Sequence, residues 1–152
     1  MDKKDRRILE LLQQNAMLTA AEIAEDVGLT TTPCWRRIKK LEEQGYIRAR
    51  VALLDRQKMN VGTTVFVAVR TNRHSGDWLQ RFKATIEHTP EIVEAHRLSG
   101  DTDYLLRIVV PNITEYDRVY QHLIEELEFL DVSSSFSMEE LKSTTTVPVK
   151  HA

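Results

Sequence analysis

Apolar positions recur at helical spacing through the first third of the chain and at strand spacing afterwards. Ile8, Leu11 and Leu12 lie on one side of a predicted helix between Lys3 and Asn15. Thr19 followed by Glu22 forms a capping box, in which each side chain takes a backbone N–H that a helix start leaves free. It predicts a second helix to about Val27, with Ala20, Ile23, Ala24 and Val27 on one face. Gly28 can adopt the left-handed conformation that ends a helix. Thr30 is then a suitable N-cap, and Pro33 falls in a first turn, where its missing N–H costs little. This third helix is predicted to reach about Gln44, where Gly45 stops it. Small Ala24, the turn glycine Gly28 and apolar Leu29, in that order, let two helices pack closely across a tight turn, which is the helix-turn-helix arrangement.

On the third helix Cys34, Ile38 and Leu41 line the inner side, and Cys34 reads as a small buried hydrophobe. Thr32, Arg36, Lys39, Lys40 and Glu43 point away, with Trp35 on one flank and Arg37 on the other. Two readings of Trp35 stay open, a DNA contact or a cap on the small core. The alternation from Tyr46 to Leu54 predicts an extended wing strand with Arg48 and Arg50 on one side. The polar run Asp55–Asn60 then marks a change of character.

Strand-like and helix-like segments alternate beyond it: a strand over 63–71, a helix over 77–89, strands over 92–98 and 104–110, a helix over 114–126 and a strand over 132–138. The inward positions expected on the two helices are Leu79, Phe82 and Ile86, then Tyr116, Val119, Tyr120, Leu123 and Leu127. The order is βαββαβ, a ferredoxin-like arrangement, so the fold class is α+β. Val65, Val67 and Val69 alternate with Phe66 and Ala68 on the first strand, so both faces of the sheet are apolar. Helices cover one face; the other needs a partner, most simply a second copy of the chain. The expected domains are a winged helix-turn-helix over residues 1–54, a linker over 55–62 and a ferredoxin-like domain over 63–152.

Charge sharpens the division. Residues 1–50 hold ten Lys and Arg against eight Asp and Glu, and the rest of the chain holds eleven against fifteen. The basic excess sits in the first third, concentrated in Arg36-Arg37-Ile38-Lys39-Lys40. Such a run marks either a solvated face or a phosphate-binding one, and its place on the second helix of a helix-turn-helix favours DNA. No apolar stretch is long enough for a membrane span, and there is no apolar leader at the start, so a cytoplasmic place without membrane association is expected. Cys34 is the single cysteine, which excludes an intrachain disulfide and a cysteine zinc site. The histidines at 74, 88, 96, 122 and 151 show no ligand spacing. No phosphate-binding glycine loop and no nucleophile motif is found, so neither metal, cofactor nor catalytic residue is expected.

Ser99-Gly100-Asp101-Thr102-Asp103 joins two strands. It reads as an ordinary Asp/Gly turn or as a small-molecule site, where backbone N–H groups at Gly100 take a carboxylate and Asp101 or Asp103 takes an ammonium.

Several segments together resemble the leucine-responsive regulator/asparagine regulator (Lrp/AsnC) family over essentially the whole length. They are Asp5-Arg6-Arg7-Ile8-Leu9, Gly28-Leu29 through Pro33-Cys34 to Arg37 and Leu41-Glu42, Gly45-Tyr46-Ile47, and Ser99 through Leu106. The Pro-Cys pair in the reading helix combined with Gly-Asp-x-Asp-Tyr makes the resemblance specific. It implies a transcription regulator, not an enzyme, that binds double-stranded operator DNA and a small effector, expected to be an amino acid. It also implies homodimers assembling into tetramers or octamers. The expected DNA contacts are Thr30, Thr31, Thr32, Trp35, Arg36, Arg37, Lys39, Lys40 and Arg48. The expected effector contacts are Gly100, Asp101, Thr102, Asp103 and Tyr104, with Ser135 and Ser137 on the last strand. Thr30-Thr31 stands where many relatives carry Ser-Pro, a difference that bears on the DNA contacts.

Two other functions set the comparison. Some tetrapyrrole decarboxylases resemble this family, but a convergent set of histidines or arginines is missing, with only His96 and Arg97 adjacent in the second domain. An architectural DNA-coating protein would lack the effector.

Overall fold

Asp2 starts α1 (Lys3–Gln14) with a capping box that the periodicity did not announce. Its carboxylate accepts the Asp5 N–H at 2.9 Å, and Asp5 accepts the Asp2 N–H at 3.1 Å. The expected Thr19–Glu22 box starts α2 (Ala20–Val27), and Gly28 ends it at φ 61°. α3 covers Thr31–Glu43. Thr30 stands at its N-cap with extended backbone, but its hydroxyl makes no capping bond. The coordinates are those of a computed structural model that describes residues 1–72 and 75–152. His74, one of the scattered histidines, lies outside the described residues. The helices enclose a core of Ile8, Leu9, Leu12, Ile23, Ala24, Val27, Cys34, Ile38 and Leu41.

The expected wing strand does not form within the chain. Residues 48–54 pair with no strand among the described residues, and Val51, Leu53 and Leu54 are exposed. Alternation prepares a segment for pairing, but a strand also needs a neighbour for its N–H and C=O groups, and this chain sends none alongside. Residues 55–61 form a short capped turn, in which Asp55 Oδ1 accepts the N–H groups of Gln57 at 2.9 Å and Lys58 at 3.2 Å.

β1 (Thr63–Arg70), α4 (Gly76–His88), β2 (Ile92–Arg97), β3 (Tyr104–Val110), α5 (Ile113–Glu126) and β4 (Asp131–Phe136) follow in the expected βαββαβ order. The strands form one antiparallel sheet in the order β2-β3-β1-β4. Val65, Val67 and Val69 are fully buried with Leu106, Ile108 and Val110 against the helices. The α4 face differs by one residue from the one expected. Trp78 is buried and stacks on Phe82 with ring centroids 4.9 Å apart, while Leu79 and Ile86 are only partly covered. The Trp78 indole N–H donates to the Glu128 carbonyl at 3.0 Å, which lets so large an amphipathic ring be buried without an orphaned donor. On the opposite face Phe66 is exposed, bordered by Ala68 and Leu105 and, opposite Phe66 in the ladder, Arg107.

By its contacts the chain forms two units, Met1–Leu53 with Lys142–Ala152, and Leu54–Leu141. Residues 142–152 were expected in the second domain. They pack instead in the first unit, because Val149 reaches the helix-turn-helix core and Gln13 bonds the backbone of Val147.

Candidate functional site

The three-helix unit is fastened by Lys4, Arg7 and Arg37. Arg7 forks onto Asp26 of α2, with Nε–Oδ1 at 2.7 Å and Nη2–Oδ2 at 2.9 Å. Lys4 Nζ donates to the Gly28 carbonyl at 2.9 Å, satisfying a group that the turn leaves free. Arg37 donates to Asp2 at 2.6 Å and to Asp5 at 2.7 Å, joining α3 to the start of α1. The backbone N–H of Asp5 and the Arg37 guanidinium hold the Asp2 carboxyl down at about 2. Arg37, expected at the DNA, is therefore committed within the unit.

The rest of the row faces out. Thr30, Thr31, Thr32, Trp35, Arg36, Lys39 and Lys40 are all exposed. Trp35 is 51% exposed, which decides against its capping the core. The side chains of Arg36 and Lys40 take part in no ion pair or hydrogen bond among the described residues. Lys39 pairs with Glu42 at 2.9 Å, one turn along its own helix, a solvent-screened contact that phosphate can replace. Burial pushes the Cys34 thiol up, as suits a core residue. Arg48 is exposed on the segment that follows. Arg50, which the sequence reading left without a role, anchors that segment by donating to Glu42 at 3.1 Å and to the Ala16 carbonyl at 2.9 Å. The only signal for this was an arginine two positions beyond Arg48.

In the second unit the expected effector residues divide into two kinds. Gly100, at φ 115°, and Asp101 are exposed at the β2–β3 turn, with Thr102 half-buried. Asp103 and Tyr104 are engaged within the fold. The Asp103 carboxylate accepts the Thr71 N–H at 2.8 Å, and its own backbone N–H donates to the Val69 carbonyl at 3.0 Å. Tyr104 is buried with its ring centroid 4.6 Å from that of Phe82. Ser135 lies opposite Phe66 on the open sheet face, and the Ser137 N–H donates to the Thr64 carbonyl at 2.9 Å.

One chain does not bring these groups together. The turn adjoins Val69 and Thr71, whereas Ser137 adjoins Thr64. Val69 lies five positions along the strand from Thr64, about 17 Å at the usual rise. Ser137 lines a groove of about 370 Å³ with Arg56, Glu139 and Glu140, remote from the turn. Arg56, not anticipated from the sequence, holds this region by donating to Thr64 Oγ1 at 2.8 Å and to Glu140 at 2.6 Å. Among the described residues no group of three or more His, Cys, Asp or Glu is placed to hold a metal ion, and no helix is long and apolar enough to cross a membrane.

Comparison with known proteins identifies two family segments in the chain. Residues 1–48 match the winged helix-turn-helix DNA-binding model, and residues 64–147 match the Lrp/AsnC ligand binding domain. The glutamate uptake regulatory protein of Zymomonas mobilis is 49% identical, covering 98% of this chain and 91% of that protein. A crystal structure of an AsnC family transcriptional regulator from Agrobacterium tumefaciens superposes with a TM-score of 0.95 at 54% identity, covering 99% of each chain. A Neisseria meningitidis transcriptional regulator, solved in complex with L-Met, superposes with a TM-score of 0.94 at 36% identity, covering 99% of this chain and 98% of that one. With a three-helix unit carrying a row of exposed cations, a βαββαβ unit following it along the chain and both family models matched, this chain belongs to the Lrp/AsnC family of DNA-binding transcriptional regulators.

Proposed function

We propose that this protein reads operator DNA with the outward face of α3 and that an amino acid, bound where two copies meet, sets how it binds. The observation that carries the DNA half is the pair Arg36 and Lys40, exposed and unengaged one helical turn apart among the described residues. Two cations at that spacing suit a duplex groove, where Arg forks onto guanine or phosphate and Lys neutralises phosphate. Thr31 and Thr32 add hydroxyls at the helix start, and Trp35, Lys39 and Arg48 extend the surface.

For the effector, an amino acid suits the chemistry of the β2–β3 turn. Asp101 supplies a carboxylate for the ammonium, and the backbone at Gly100 supplies N–H groups for the carboxylate. The L-Met held by the Neisseria neighbour and the name of the Zymomonas relative support that class. Because the turn and the last-strand serines lie apart in one chain, a second copy completes the site. Homodimers stack through the open sheet faces, and dimers assemble further. The protein acts in the cytoplasm and catalyses no reaction.

The test uses a duplex selected from random sequence by the wild-type protein, with a panel of amino acids screened by thermal shift. Replacing Arg36 and Lys40 together with alanine is expected to weaken binding at least tenfold and to lower the salt slope by about 2, leaving the oligomer intact. Asp101→Ala is expected to raise the effector concentration needed about tenfold while DNA affinity without effector holds. Unchanged DNA affinity in the double variant would refute the assignment of the reading face.

A further inference from the structure

Residues 142–152 come five residues after β4, beyond the candidate effector residues Ser135 and Ser137, yet their contacts lie in the recognition unit. Gln13 grips this segment at Val147. The Gln13 amide donates from Nε2 to the Val147 carbonyl at 3.1 Å, and its Oε1 accepts the Val147 N–H at 2.7 Å. A side-chain amide that takes both polar groups of one residue imitates a neighbouring strand and binds an extended backbone whatever its side chains. The local sequence suits that role. Thr144-Thr145-Thr146-Val147 is β-branched throughout and favours extended backbone, and Pro148 brings no N–H that would need a partner. Val149 then packs against the helix-turn-helix core, and Arg6 Nε donates to the backbone oxygen of Ala152 at 3.1 Å.

Arg6 and Gln13 lie seven positions apart, hence on one face of α1 and about 10 Å apart along its axis. Val147 meets Gln13 and Ala152 meets Arg6, so the segment runs antiparallel to α1. Upstream, the chain leaving β4 is held within the second unit, where the Ser137 N–H bonds to Thr64 and Glu140 bonds to Arg56. Six residues lie between Glu140 and Val147. The chain therefore joins the two units twice, once through residues 53 and 54 and once through 141 and 142.

We propose that residues 142–152 form a strap that docks in cis on α1 through Gln13, Val149 and Arg6 and transmits changes at the end of β4 to the helix-turn-helix. The docking stands on the contacts above; the transmission rests on the reading of the chain as an effector-responsive DNA binder. A ligand that moves Ser135 or Ser137 moves the start of the strap, and the strap bears on the helix that supports α3. α1 presents a surface for a short β-branched segment, and the occupant is the chain's own.

Full-length Gln13→Ala tests both parts. Gln13 lies at the surface of the unit, so the variant keeps its fold, which thermal unfolding verifies. The Val147 amide, whose acceptor is removed, is expected to exchange at least fivefold faster than in the wild type. DNA affinity without effector is expected to stay within about twofold, while the change in affinity produced by L-Met or L-Glu shrinks at least about threefold. Val149→Ala is expected to reproduce this pattern. Equal Val147 exchange in wild type and variant overturns the docking. Faster exchange with an unaltered effector response overturns the transmission and leaves a packing contact. Protection of Val147 that vanishes on dilution to single chains assigns the strap to a second copy and overturns docking in cis. A wild type that binds DNA but ignores both amino acids and the rest of the panel overturns the effector reading itself, while the exchange result still decides the docking.

Discussion

Adjacent side chains on an α-helix point about 100° apart, and at Arg36 and Arg37 that angle separates two roles. Arg36 faces outward unpaired, whereas Arg37 turns toward α1 and joins Asp2 and Asp5. The cluster makes the recognition unit sensitive to acid. The Asp2 carboxyl is lowered from its ordinary 3.8 to about 2 in the folded chain. Its contribution is therefore complete above pH 4 and lost as the pH falls from about 4 toward 2. Thermal unfolding across that window should show a steeper loss for the wild type than for Asp2→Asn. Equal slopes would mean that the cluster contributes nothing to folding. At Asp103 the same level of detail changes an expectation. Its carboxylate holds the Thr71 N–H, so loss of effector response in an Asp103→Ala variant would report a loosened turn as readily as a lost ligand contact. Asp101, exposed on the same turn, is the cleaner probe.

Among the elements, α4 shows how a periodic pattern finds a helix and still misjudges its face. Leu79, Phe82 and Ile86 fit one apolar stripe, but the observed stripe is turned toward Trp78 and Phe82. The shift follows from Glu128, far along the chain, whose carbonyl receives the indole N–H. A buried Trp with a bonded nitrogen and three aromatic neighbours carries much of this core. Trp78→Ala should destabilise the second unit by about 3–5 kcal/mol, and Trp78→Phe by clearly less, because a ring can still stack on Phe82. Urea unfolding followed by far-UV circular dichroism measures both. The segment 48–54 makes the opposite point: alternation was legible, and no strand formed, because pairing depends on a second backbone that the local sequence does not contain.

For the whole molecule the open face of the sheet is the deciding surface. Phe66 remains exposed there, with an ion pair between Arg107 and Glu94 at 2.6 Å beside it. An apolar sheet face bordered by charge suits self-association, with the ion pair helping to fix register. Phe66→Asp should lower the mass seen by sedimentation to that of single chains while the circular dichroism spectrum of the fold persists. A variant that keeps the wild-type mass would place the contact between copies elsewhere. Paired readers also set the spacing of the half-sites they can reach, so the same variant should lose affinity for a two-site duplex far more than for a single site.

Local sequence alone determined the helices and the four strands of the sheet, though not the fate of residues 48–54. The capping box at Thr19, the stop at Gly28, the period of the helices and the alternation of the strands each act within a few residues, and each was readable without a partner. Family motifs extended that reading to DNA and effector. Tertiary structure decided which charged groups are free. Arg36 and Arg37 are one residue type in one run, and only Asp2 and Asp5, more than thirty positions away, separate them. It likewise turned Tyr104 into the core and laid residues 142–152 on α1, across 134 positions of chain at the Gln13–Val147 pair. The physical reason is the same throughout: backbone preference and periodicity are set by near neighbours, whereas the partner of a hydrogen bond, an ion pair or an aromatic ring is whatever the folded chain brings beside it.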